Sequence, residues 1–359
     1  MVDVLGGVSF QRGQRIGKYE IVTQLSVGGM AEVFLVFAAG PGGFLKLFAL
    51  KKILPNFRDD HFVKMFIEEA RITAELSHSN IAQVFELGKE QGELYLAMEF
   101  LNGQNLKQIQ QAALKQQRTL PLGFVARVVH DTCLGLHFAH HFVDATGKAM
   151  PVVHRDINPK NVMVDYNGRV KVVDFGIAKA TGSLVQTQKG KVRGTPGYMS
   201  PEQVEGAELD GRSDLFCAGI LLHELLCGRQ LFTGNDRGEV MLKIAATDVT
   251  SPAKINPRVP RALAKVVLRA LEKDPAKRFA TGHEMARAIK AACGKKFYRE
   301  EQMASVMHEL FSDEKEKMRV LLNSIYEFKN RVEYRSARTG PARWHPQSQV
   351  SAPYAGRSP

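Results

Sequence analysis

Over the first hundred residues, apolar positions come in short runs. KYEIVTQL (18–25), AEVFLVFAA (31–39) and LKLFALKKIL (45–54) are rich in β-branched and aromatic residues and are separated by glycines. This composition predicts three strands. Gly40, Pro41, Gly42 and Gly43 supply the turn between the second and the third. Over 61–76 the spacing lengthens, and Phe62, Met65, Phe66, Ile72 and Leu76 fall near one face of a helix. Two further strands are expected over 82–87 and 93–100, joined by a turn at Gln91-Gly92.

After Gly103 the character changes. Helical patterns cover 105–117, 122–143, 214–226, 236–246 and 261–272, and short strands over 162–164 and 170–173 flank an Asn167-Gly168 turn. The chain therefore reads as α+β. Residues 1–18 precede a small β-rich lobe (19–102) with one main helix, and a larger, mainly helical lobe (103–294) follows. Beyond it, Val306, Leu310, Met318, Leu321, Leu322 and Ile325 recur at near-helical spacing in an extension over 295–334. This extension is expected to pack on the large lobe; self-association or partner binding through 297–333 is the alternative. Residues 335–359 hold Pro, Ser, Gly and Arg with few apolar positions and are expected to be disordered.

Composition narrows the picture modestly. A net charge of +12 over 359 residues suits polyanions such as nucleotides or nucleic acids, and equally a well-solvated surface. Cys133, Cys217, Cys227 and Cys293 show no CxxC spacing and lie in apolar stretches, as expected of reduced thiols in a cytoplasmic protein. The first residues lack the pattern of a signal peptide. The longest apolar stretch, 215–227, is interrupted by His223 and Glu224 and is too short to span a bilayer, so membrane insertion is not expected.

Candidate chemistry begins at Ser26-Val27-Gly28-Gly29-Met30-Ala31-Glu32-Val33, where small residues between two strands let backbone N–H groups approach phosphate oxygens. A plain hairpin turn would look the same. Lys51, on the next strand, can reach phosphates if an ion pair holds it, and Glu69 on the helical segment is placed to do so. The decisive stretch is Val152-Val153-His154-Arg155-Asp156-Ile157-Asn158-Pro159-Lys160-Asn161, followed thirteen residues after Asn161 by Asp174-Phe175-Gly176. Phosphoryl transfer needs cations to neutralise the phosphates and a carboxylate beside the attacking hydroxyl. Asp174 and Asn161 offer hard oxygen ligands, and Asp156 can orient the hydroxyl and take its proton.

In this order and spacing, residues 19–293 resemble the eukaryotic-like (Hanks-type) Ser/Thr protein kinases of bacteria, in a soluble form without a membrane segment. The resemblance implies the two-lobed protein-kinase fold and transfer of the ATP γ-phosphoryl group to Ser/Thr of protein substrates, with Mg²⁺ or alternatively Mn²⁺. It implies that Ser26, Val27, Gly28, Gly29, Val33, Ala49 and Met163 bind the nucleotide. Met98 then backs the adenine, and Glu99 and Leu101 supply hinge backbone groups. Lys51 and Glu69 pair, Asp156 is the base, Asn161 and Asp174 hold the metal, and Thr195 joins the catalytic set. Glu202 of Ser200-Pro201-Glu202 is expected to be buried against Arg278, and Asp214 to brace the catalytic loop. Gly194-Thr195-Pro196-Gly197-Tyr198 resembles the docking segment of Ser/Thr rather than Tyr kinases. Arg155 is implied to pair with a phosphorylated activation-loop residue, for which Thr187 is the first candidate and Thr181 and Ser183 the next.

Three positions depart from the family pattern. Ser26 and Ala31 replace loop glycines, and Asn158 stands where a lysine is usual. Loss of that cation costs a few kcal/mol of transition-state stabilisation unless it is replaced. Lys160 either compensates or points to solvent. Because Lys51, Glu69, Asp156, Asn161 and Asp174 are all present, an active enzyme is expected. The alternative is a pseudokinase-like binding or scaffold module with weak or no turnover. A small-molecule kinase fits less well, given the segment 190–202, and nucleic-acid binding is not expected.

Overall fold

The computed structural model describes residues 14–28, 31–54, 60–175 and 196–338, without the side chains of 60–62, 65, 68, 69, 196 and 328–338. Strands β1 (Arg15–Ile16), β2 (Tyr19–Val27), β3 (Ala31–Ala39), β4 (Leu45–Ile53), β5 (Val84–Glu90) and β6 (Glu93–Glu99) form a six-stranded sheet in the order β1-β2-β3-β4-β6-β5. Helix α1 (Asp60–Glu75) lies between β4 and β5 in the chain. The period of two along each strand divides the sheet into two faces. Tyr19, Ile21, Phe34, Val36, Phe48, Leu50, Tyr95 and Ala97 pack on one face. Ala31, Ala49, Ile53, Leu96 and Met98 pack with Phe66 and Ala70 of α1 on the other. The β5–β6 hairpin turns at Gln91 (φ 50°) and Gly92 (φ 84°), a left-handed pair suited to a two-residue loop.

The larger lobe carries a three-stranded sheet, β7 (Gly103–Asn105), β8 (Val162–Asp165) and β9 (Val170–Val172), in that order. Around it lie α2 (Leu106–Lys115), α3 (Leu122–His140), α4 (Pro201–Glu205), α5 (Gly211–Cys227), α6 (Arg237–Ala246), α7 (Pro252–Ile255), α8 (Arg261–Ala270), α9 (Gly282–Cys293) and α10 (Glu300–Arg338). Helix α5 is buried from Ser213 to Leu226 without interruption. Its lack of a polar face is that of a helix enclosed on every side. Asp210 caps it, accepting from Arg212 N. Among the described residues no helix is long and apolar enough to cross a membrane.

Several boundaries differ from the sequence expectation. Helix α3 ends at His140, three residues before the expected 143, because the chain turns at Gly147 into a bridge between Val143 and Ala149. Strand β5 begins at 84 rather than 82: Ile81 bridges to Val172 and Ala82 N donates to Val172 O, so these residues join the other lobe. Elements β7, α4, α7 and α9 were not anticipated. In α9 the core-facing positions are Met285, Ala286, Ile289 and Cys293, set among further alanines that blur the periodicity.

Helix α10 is broken at Phe311 (φ −140°, ψ 35°). Before the break, Met303, Val306, Met307, Leu310 and Phe311 belong to the core of the large lobe. Gln116 Nε2 donates to Leu310 O at 3.1 Å, Arg127 Nη1 donates to Tyr298 O at 3.2 Å, and Arg118 pairs with Glu309. Beyond the break, Val320 and Tyr326 are exposed, and Met318, Leu321, Leu322 and Ile325 are half-buried.

Candidate active site

The roof of the interlobe cleft is the β2–β3 hairpin and the strands behind it. Ser26, Val27 and Gly28 are exposed at the tip, where Gly28 N donates to Ala31 O at 2.8 Å; Gly29 lies outside the described residues. Val33 pairs in register with Lys51, and Ala49 with Met98. Ala49 and Lys51 share a strand face two residues apart. Val33, Ala49 and Met98 thus form an apolar floor next to one lysine. At the hinge, Glu99 N donates to Gln83 O at 2.8 Å, so any purine contact from Glu99 must come from its carbonyl. Its carboxylate is tied to the lower lobe, accepting from Lys171 Nζ of β9 at 2.9 Å. Leu101 is half-buried beyond it. Gly103 then passes so close to β8 that a Cβ there would sit 2.2 Å from Val164 O. This contact sets the register in which Met163, half-buried, lies opposite Asn105.

Opposite this roof lies the loop 152–161, built on one buried carboxylate. Asp214, in the first turn of α5 and fully buried, accepts from His154 N (2.7 Å), Arg155 N (2.8 Å) and His140 Nε2 (2.8 Å). Burial pushes its pKa up, but the hydrogen bond and charge of His140 outweigh that, and the carboxyl stays below its usual range. Arg155 is held at φ 65°, a left-handed conformation that costs a non-glycine residue about 1–3 kcal/mol. His154 is the loop's second anchor. Its Nε2 donates to Val173 O (3.1 Å), while Nδ1 accepts from Asp156 N (3.2 Å). This arrangement requires a neutral ring, and burial keeps the pKa of His154 below the ordinary histidine value.

The chemical groups converge from both lobes. Lys51 Nζ donates to Asp174 Oδ1 at 2.7 Å. Burial alone would raise the pKa of Asp174; the Lys51 ammonium more than offsets this and holds it below the carboxylate range. The Asp174 side chain is still 38% exposed, and so open to a ligand. Asn161 Nδ2 donates to Asp156 O (2.9 Å) and to Asp156 Oδ2 (3.3 Å), leaving the Asn161 amide oxygen as a hard donor. An amide oxygen and a carboxylate suit a Mg²⁺ ion that takes its other ligands from phosphates and water. The backbone of Glu69 lies on α1, but its side chain lies outside the described residues, as do Thr181, Ser183, Thr187 and Thr195.

Asn158 is a brace within the loop. It is 3% exposed, donates from Nδ2 to Asp156 O (2.9 Å) and accepts on Oδ1 from Lys160 N (2.9 Å). Its side chain is occupied by the loop's own backbone, and Lys160 is exposed. Further down, Arg278 donates to both oxygens of Glu202 (2.7 and 2.9 Å), and Ser213 Oγ donates to Glu202 Oε1 (2.5 Å). Tyr198 OH donates to Glu224 of α5, and Cys217 Sγ contacts Tyr198 O at 3.2 Å, so the segment entering α4 is pinned to the core. Sequence reasoning did not assign roles to His140, His154, Lys171 or Gln203. Only His154 carried a local signal, as part of the motif before Asp156.

Four histidines, two buried and two half-buried, tie stability to pH. Burial is the leading cause that lowers the pKa of His78, His137, His154 and His223. As pH falls below about 6.5, the unfolded chain takes up protons that the folded rings refuse, so stability falls. Thermal unfolding between pH 8 and 5 should show a flat Tm above about 6.5 and a steady decline below it. A Tm that rises or stays constant on acidification contradicts this.

A family model described as protein kinase domain matches residues 19–297. The chain belongs to the protein kinase family. The kinase is 39% identical over 277 residues to "Tyrosine-protein kinase MasK" of Myxococcus xanthus, covering 77% of this chain and 43% of that protein. It is 35% identical to "Probable serine/threonine-protein kinase PknB" of Lactococcus lactis (75% and 41% covered). It is 34% identical to "Serine/threonine-protein kinase PrkC" of Bacillus subtilis (78% and 41% covered). The kinase thus spans about two fifths of the length of these curated relatives. Its fold matches the crystal structure of the Mycobacterium tuberculosis PknI kinase domain with a TM-score of 0.60 and 29% identity, covering 80% of this chain and all of that one.

Proposed function

We propose that this kinase transfers the γ-phosphoryl group of ATP to Ser and Thr hydroxyls of protein substrates in the cytoplasm. The observation that carries this reading is the Lys51–Asp174 contact across the cleft, with Asp156 and Asn161 hydrogen-bonded to each other. Lys51 would hold phosphate oxygens, and Asn161 and Asp174 would hold Mg²⁺ or Mn²⁺. The bound metal would supply charge neutralisation as the phosphoryl group moves. Asp156 would orient the acceptor hydroxyl and take its proton. Ser26, Val27, Gly28 and Gly29 would cover the phosphates, and Val33, Ala49, Met98 and Met163 would enclose the purine. Glu69 would steady Lys51, and Thr195 would lie beside the acceptor. Thr187 is the proposed autophosphorylation site, and its phosphate would pair with Arg155.

Asn158 weighs toward a slower enzyme than a lysine at that position would give, and together with Ser26 it is what favours a scaffold with weak turnover. A second reading concerns the acceptor: the 39% identical relative is named a tyrosine kinase. Phosphoamino-acid analysis after incubation with γ-labelled ATP, Mg²⁺ and a protein acceptor separates the two. Label on Ser and Thr supports the first reading; label confined to Tyr supports the second.

A further inference from the structure

Arg155 precedes Asp156 in a conformation that its side chain disfavours, and both of its peptide groups are held by buried side chains. Its N–H is held by Asp214 of α5 at 2.8 Å. Its carbonyl accepts from Gln203 Nε2 of α4 at 2.9 Å. Gln203 is 6% exposed, and both polar atoms of its side chain are hydrogen-bonded. Its Oε1 accepts from Ser200 N (2.9 Å), and its own N–H donates to Ser200 Oγ (3.3 Å), closing a capping box at the start of α4. One amide group therefore ends the segment running through Tyr198 and grips the backbone next to the candidate base. A helix cap alone needs only the Oε1 half of that group. The Nε2 half points across 48 residues of sequence to a strained carbonyl.

We propose that Gln203 is a positioning residue: by holding the Arg155 carbonyl it fixes the backbone from which Asp156 presents its carboxylate, and it locks that loop to the segment beside which a polypeptide substrate docks. This rests on the phosphotransfer reading above. It adds to it that the loop is gripped from α4 as well as from α5, through the single Gln203–Arg155 hydrogen bond.

Three variants separate this role from helix capping. Gln203→Glu keeps the acceptor for Ser200 N and loses the donor to Arg155. Gln203→Met, similar in shape and uncharged, loses both. Ser200→Ala weakens the cap and leaves the Arg155 bond in place. Gln203→Glu and Gln203→Met should lower kcat about 10- to 100-fold, with KM for ATP changed less than about 2-fold. Ser200→Ala should stay within about 2-fold of wild type in kcat. Hydrogen exchange of the peptide covering 152–162 should speed up in both Gln203 variants and not in Ser200→Ala. An equal loss of kcat in Ser200→Ala, or unchanged exchange at 152–162 in a folded Gln203 variant, overturns the proposal. If a Gln203 variant fails to fold, the other decides by the same readouts. Wild type beside Asp156→Asn tests phosphotransfer itself; should that reading fail, the exchange data still judge the clamp on their own.

Discussion

Asp156→Asn is expected to reduce phosphotransfer about 10²–10⁴-fold, the range ordinarily supplied by a positioned proton acceptor. The substitution keeps size and shape and removes the negative charge and the ability to take a proton. The loop should survive it. Asp156 N donates to His154 Nδ1 and Asp156 O accepts from Asn158 and Asn161; these are backbone groups that the substitution leaves alone. The 3.3 Å contact from Asn161 to Asp156 Oδ2 can be met by the amide oxygen of the new side chain. Tm and ATP affinity should therefore stay close to wild type while turnover falls. The same rate from both proteins would mean that Asp156 is not the base. A collapse of ATP affinity would mean that it holds the nucleotide instead.

Arg278→Ala is expected to destabilise the fold by about 3–5 kcal/mol, the cost of stranding one partner of a buried ion pair. The Arg278 side chain is fully buried and that of Glu202 is 11% exposed. Besides its two bonds to Glu202, the guanidinium donates to the carbonyls of Arg212, Glu272 and Lys273. Removing it leaves a buried carboxylate with Ser213 as its main remaining partner, along with three carbonyls short of a donor. Arg278→Lys should recover little of this, because an ammonium cannot fill the planar fork. Denaturant unfolding measures the loss directly. A cost below about 1 kcal/mol would place the pair among those that contribute almost nothing. Burial pushes the pKa of Glu202 up, and Arg278 and Ser213 bring it below its usual range. The pair's contribution is therefore present at neutral pH and is lost as pH falls through the carboxylate range.

Local chemistry was legible in the amino-acid sequence where it depends on neighbours in the chain. The strand faces around Ala49 and Lys51 follow from alternation, and the buried helix α5 follows from apolar residues all round. The stretch holding His154, Asp156 and Asn161 marks a phosphate-handling loop by residue type and spacing. What was not legible depends on partners far away in sequence. Ala82 looks like the start of β5 because it is apolar and leads into the β-prone run at Val84 and Phe85; only the docked β9 claims it for the other lobe. Asn158 looks like a missing cation, whereas in the fold it saturates two backbone groups of its own loop. Gln203 carries the Ser-x-x-Gln mark of a helix start, but nothing local marks its partner 48 residues back. The lone alanines of α9 fail for a different reason: they satisfy core and solvent alike, so no periodic contrast shows.

The assigned chemistry stands on the wild-type protein moving a phosphoryl group when its own cleft residues hold a metal-bound nucleotide. The direct measurement is a time course of label transfer from γ-labelled ATP to a protein hydroxyl, run with Mg²⁺ and again with excess chelator. Acid-stable phosphoester should accumulate with Mg²⁺ and stop accumulating without it. A wild-type chain that binds ATP yet transfers no more label than Asp156→Asn in the presence of Mg²⁺ would contradict the assigned chemistry.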